Sequence, residues 1–145
     1  MDITIYLPDE LGKWAKEQDL PLSRMLRDAV EAEKRRREAV AVLAAEATIH
    51  ELAAREPSEP AGDGPDIEVR LHGTLIAAEV VNDGQASTEV YLGEDGKLYV
   101  LDFLGEFHRD VAPGDLRKYL GHDSAYIKAM HAIGQVPVID VGLPE

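Results

Sequence analysis

Four histidines of the C-terminal half, His72, His108, His122 and His131, are the side chains best suited to proton transfer or metal ligation, and FHRD sets His108 beside Arg109 and Asp110. Their spacing argues against both kinds of chemistry. No two of these histidines stand i, i+4 on one helix, the chain has no cysteine, and neighbours on a strand alternate faces, so His108, Arg109 and Asp110 cannot all converge. The sequence also lacks a glycine-rich phosphate loop, a serine elbow and an HExxH pair. The expectation is a protein that is not an enzyme and holds no cofactor and no metal.

What remains is the chemistry of recognition, and it gathers in the opening run MDITIYLPDELGKW. There Asp2, Thr4 and Tyr6 alternate with Ile3, Ile5 and Leu7, the period of a strand with one apolar face. The hydroxyls of Thr4 and Tyr6 both donate and accept, and the Asp2 carboxylate accepts.

Such a strand needs elements to position it. Pro8 suits a first helical position, and Asp9 and Glu10 follow where the helix dipole favours acids. Leu11, Trp14 and Ala15 give that helix an apolar stripe; Pro21 then opens a second helix whose face is Leu22, Met25, Leu26, Ala29 and Val30. The second helix either continues through KRRR at 34–37 or breaks near Arg37 and restarts, with Val42, Ala45, Ile49 and Leu52 keeping a helical stripe beyond it. The basic run itself reads as a solvated helix end. A strand and two short helices cannot bury a core alone, so a second copy must pair its strand antiparallel, turning Ile3, Ile5 and Leu7 inward and the polar face outward. A two-stranded ribbon of that kind fits the major groove of B-DNA.

Strand ITIYLP, helix DELGKWAKEQDL and helix PLSRMLRDAVEAE in this order resemble the ribbon-helix-helix proteins of the Arc, MetJ and CopG type, over about the first quarter of the chain. The resemblance implies an intertwined homodimer that binds double-stranded DNA in a sequence-specific way and represses transcription. It implies base contacts from Thr4, Tyr6 and Asp2, and phosphate contacts from Ser23 and Arg24 at the start of the second helix, with Lys13 and Arg27 at the rim. It also implies a dimer core of Ile3, Ile5, Leu7, Trp14, Leu26 and Val30. The alternative is a protein-interaction module whose ribbon only dimerises it.

The net charge of −13 opposes nucleic-acid binding as a total but is uneven. Residues 1–38 hold nine acids against eight bases, a net of −1, which leaves −12 for the remainder. Phosphate is repelled by the second part far more than by the first. The acidic part either keeps the protein soluble, the commoner role of such charge, or complements a basic protein partner, as the resemblance implies for ribbon-helix-helix antitoxins that bind a toxin and regulate their own operon.

The expected fold class is α+β: a ribbon-helix-helix domain at 1–38, a helical connector and flexible linker at 39–65 ending in EPSEPAGDGP, and a small acidic α+β domain at 66–145. In that last part IEVRLHGTLIAAEVV reads as strand, TEVYLGEDGKLYVLDFL as a hairpin turning at Asp95-Gly96, and APGDLRKYL and DSAYIKAMHAIG as helices. Gly134 ends the second of these and VPVIDV closes as a strand. With no apolar run long enough to span a bilayer and Asp2 where a signal peptide wants positive charge, the expectation is a soluble cytoplasmic protein without a membrane partner.

Overall fold

Pro8 and Pro21 each open a helix, as their fixed backbone angle and missing N–H allow. The structure, a computed structural model, describes residues 6–142. Helix α1 (Asp9–Glu17) begins with the Gly12 N–H on the Pro8 carbonyl at 2.8 Å. It stops where Asp19 takes the left-handed conformation (φ 52°), a position that a short side chain bonding locally tolerates. Helix α2 (Leu22–Ala45) starts with Met25 N–H on the Pro21 carbonyl at 2.9 Å and runs unbroken through the basic run.

The chain divides into two compact units, Met1–Lys34 and Arg35–Glu145, with the boundary inside α2. In the first unit, the described residues begin in irregular backbone at Tyr6 and Leu7 and then form helices. This overturns the ribbon-helix-helix expectation, which requires a strand leading the helices: the described N-terminal region is helical and no strand runs through Tyr6 or Leu7. Asp2, Ile3, Thr4 and Ile5 lie outside the described residues.

The second unit is a five-stranded antiparallel meander in the order β1-β2-β3-β4-β5, curled into a half-barrel with helices at its ends. Its strands are β1 (Thr48–Arg55), β2 (Asp66–Val81), β3 (Ala86–Gly93), β4 (Leu98–Leu101) and β5 (Phe107–Val111). The curl brings the end of β1 to the turn before β5, where Arg55 N–H meets the Gly105 carbonyl at 2.7 Å and Arg55 pairs with Glu106. A bulge between Leu75 and Ala77 bends β2, the longest strand. Gly73 opposite Gly93 permits a close crossing, since a Cβ on Gly73 would stand 2.4 Å from the Leu92 carbonyl oxygen.

The expected helical connector and flexible linker are corrected here. Thr48–Arg55 is a strand paired residue for residue with β2, from Thr48 opposite Gly73 to Arg55 opposite Asp66. His50, Leu52 and Ala54 alternate with exposed neighbours, so a period of two hid beneath a stripe that also fitted a helix. Pairing of every β1 residue with Asp66–Gly73 of β2 outweighs the helix preference of Ala, Glu and Leu. The stretch 56–65 then joins two strands of one sheet and is fastened across its base by the Glu56 N–H on the Pro65 carbonyl at 3.0 Å.

One face of the sheet carries Ile76, Val90, Leu92, Leu98 and Val100 against α3 (Asp123–Ala132) and a 3₁₀ segment at Pro113–Lys118. Leu116 and Leu120, at most 1% exposed, are its deepest side chains along with Val90 and Val100. Burial of each contributes about 1.5–3 kcal/mol. Val40 and Leu43 of α2 pack on the same core, and the Thr74 hydroxyl donates to the Leu43 carbonyl at 2.9 Å. The opposite face buries Ala54, Leu71, Tyr91 and Phe107 within the curl, with Tyr99 stacked on Phe107 and His50 edge-on to Tyr91.

The hairpin at Asp95-Gly96 and the helix ending at Gly134 form where the sequence puts them. APGDLRKYL, expected as an α-helix, is the 3₁₀ segment, and VPVIDV is irregular backbone rather than a closing strand. Pro137, its second residue, cannot donate to a ladder. No described helix is long and apolar enough to cross a membrane.

Candidate functional site

Among the described residues, side chains able to do chemistry converge at the turn between β4 and β5. Asp102 follows β4, and its Oδ1 accepts the N–H groups of Leu104 at 2.9 Å and Glu106 at 3.0 Å, folding DFLGE tightly around Gly105 (φ 84°). That turn sends the chain back so that His108 on β5 reaches Asp102, Nε2 to Oδ2, at 2.7 Å. The ring of His108 lies against Tyr119, centroids 4.6 Å apart.

Glu106 completes the group. It is 4% exposed, and its Oε2 accepts the backbone N–H groups of Gly62 at 3.0 Å and Ser58 at 3.1 Å, with the Ser58 hydroxyl at 3.4 Å. The Gly62 N–H, followed by the Ser58 N–H, holds its carboxyl below the ordinary glutamate range against the opposing effect of burial, and His108 adds to the lowering. One ligand atom each from Asp102, Glu106 and His108 lies within 4.8 Å of the others. The imidazole and two carboxylates form a mixed nitrogen and oxygen donor set.

A shallow depression of about 410 Å³ lies on the flank of this group, lined in part by Pro57, His108, Arg109, Asp115 and Tyr119. Arg109 points elsewhere, as alternation along β5 requires: its guanidinium makes two bonds to Glu56, 2.6 and 2.9 Å, and lies 5.5 Å over the Phe107 ring. That pairing lowers the Glu56 pKa and raises that of Arg109. Asp110 takes a positive φ of 50° at the irregularity in β5. FHRD is therefore split among separate partners.

The candidates of the first unit lie apart from this group in the chain and are exposed. Tyr6 is 88% exposed in irregular backbone, Lys13 is on α1, and Ser23, Arg24 and Arg27 are in the first two turns of α2. Helical spacing puts Arg24 and Arg27 opposite the apolar stripe of α2. The expected dimer-core residues Leu7, Trp14, Leu26 and Val30 are 36%, 52%, 39% and 58% exposed within one chain. Asp2, Ile3, Thr4 and Ile5 are outside the described residues, so the structure neither joins them to the others nor separates them.

Sequence reasoning missed Asp102 and Glu106. Their signal is D-x₃-E-x-H across a glycine turn, a spacing that neither a helix nor an uninterrupted strand would bring together. No family model, curated protein or solved structure matches this chain.

Proposed function

We propose that the chain is a homodimeric DNA-binding regulator of transcription, with its first unit serving both as the dimer interface and as the DNA-contacting part. The observation that carries the reading is the apolar stripe of Leu11, Trp14, Leu22, Met25, Leu26 and Val30, all at least 39% exposed. Ala15 is the one buried residue among those described in this unit. An exposed stripe of large apolar side chains at helical spacing marks an interaction surface.

A second copy is the occupant that charge favours. Residues 1–34 carry eight acids and five bases, interspersed, whereas residues 35–145 carry twenty acids and ten bases. Two copies of the second unit repel one another, so association falls to the first. DNA binding is supported by the bases on the polar side of α2 and by Ser23 and Arg24 in its opening turn, where a helix leaves N–H groups unbonded and favours anions. Lys13 and Arg27 join Ser23 and Arg24 on phosphate in this reading.

A second reading, an interaction module whose first unit only dimerises, is favoured by the acid surplus of the second unit, which suits a basic protein such as a toxin. Selection from a random duplex library at low and at moderate salt separates the two. Regulation requires an enriched sequence whose binding Arg24→Ala with Arg27→Ala weakens at least tenfold. A dimer that enriches nothing even at low salt leaves the interaction module.

A further inference from the structure

We propose that Asp102, Glu106 and His108 form a binding site for one divalent transition-metal ion, with Zn²⁺ or Mn²⁺ as its chemical class. The donor set is two carboxylate oxygens and one imidazole nitrogen, which suits borderline and hard divalent ions, and a chain without cysteine offers no thiolate to soft ones.

Each carboxylate already uses one oxygen to fix its own orientation. Asp102 commits Oδ1 to Leu104 and Glu106 N–H groups, which leaves Oδ2 facing His108; Glu106 commits Oε2 to Ser58 and Gly62. Its other oxygen, Oε1, accepts no hydrogen bond among the described residues and stays open to a ligand. A nearly buried carboxylate with one oxygen bonded by backbone donors and the other unused is the arrangement that outer partners impose on a metal ligand.

The distances suit an ion of this size. Donors about 2.1 Å from an ion stand about 3.4 Å apart around a tetrahedral Zn²⁺ and about 3 Å apart on adjacent positions of an octahedral Mn²⁺. The 2.7 Å between His108 Nε2 and Asp102 Oδ2 widens slightly when an ion replaces the shared proton, and all three donors already lie within 4.8 Å of one another. The ion would tie the β4 to β5 turn to the 58–62 segment, which Glu106 already grips. Three protein ligands leave further positions for water.

Equilibrium dialysis and calorimetry of the full chain with ZnCl₂ and with MnCl₂, each in chelator-treated buffer, test this. We expect one ion per chain, affinity lowered at least tenfold in His108→Gln and in Glu106→Gln, and wild-type affinity in His122→Gln, an exposed histidine outside the group. A binding-linked rise of several degrees in the thermal midpoint should accompany the ion and vanish in both site variants. If those variants fail to fold, substoichiometric Mn²⁺ on the wild-type chain decides by NMR. Broadening of the His108 ring before those of His50, His72, His122 and His131 supports the site. Uniform broadening, absence of binding at 100 µM of either ion, or unchanged affinity in folded site variants overturns it.

Discussion

Glu106 shows how a single side chain sets acid sensitivity. Its carboxyl is held below the ordinary value of 4.5 by the Gly62 and Ser58 N–H groups. A carboxylate with a lowered folded pKa contributes stability that is fully present above the unfolded value and is lost as pH falls through the folded one. The thermal midpoint of the second unit should therefore drop on acidification below about 4.5, and the drop should be shallower in Glu106→Gln, whose neutral amide has no proton to gain. Equal acid limbs in both proteins would refute this role. Thr88 offers an opposite case: its hydroxyl is fully buried and has no hydrogen-bond partner among the described residues. Thr88→Val keeps the shape and removes the orphan group, so urea unfolding should show unchanged or higher stability rather than the usual loss.

Elements are held by a few contacts that the sequence reports unevenly. Pro8, Pro21, Asp95-Gly96 and Gly134 mark boundaries because each acts through its own backbone geometry, which depends on no distant residue. The strand β1 is illegible for the converse reason: TIHELAAR becomes a strand only because β2, beyond the loop, supplies its partners. The same holds for 56–65, whose linker-like composition conceals an ordered turn fastened by Glu106, which stands just before β5, 44 residues after Gly62 and 48 after Ser58. Helix α3 has no side-chain cap at its start, although Asp123 and Ser124 stand there. Glu79 on β2 takes the Gly121 and His122 N–H groups instead, at 2.9 and 2.6 Å. Glu79→Ala leaves both donors without that acceptor and should cost about 1–3 kcal/mol by denaturant titration. Gly134→Ala should also destabilise, because its φ is +72° and a Cβ there would stand 2.7 Å from the Arg35 carbonyl oxygen. Wild-type stability in either variant would contradict the role given to that contact.

At the scale of the molecule, the chain combines a helical unit whose apolar stripe is exposed with an acidic half-barrel that buries its own core. The need for a partner was readable from the spacing of Leu11, Trp14, Leu22, Met25, Leu26 and Val30, and their exposure in a single chain sharpens it. The candidate group at the β4 to β5 turn was not readable, because Asp102 and His108 meet only after the glycine turn reverses the chain. Light scattering coupled to size exclusion at micromolar concentration tests the central claim most directly. Wild type should elute at twice the 15.9 kDa of one chain, and Leu26→Glu with Val30→Glu should yield a monomer whose half-barrel still unfolds cooperatively. A wild-type chain that stays monomeric at that concentration would contradict the dimer and, with it, the proposed mode of DNA binding.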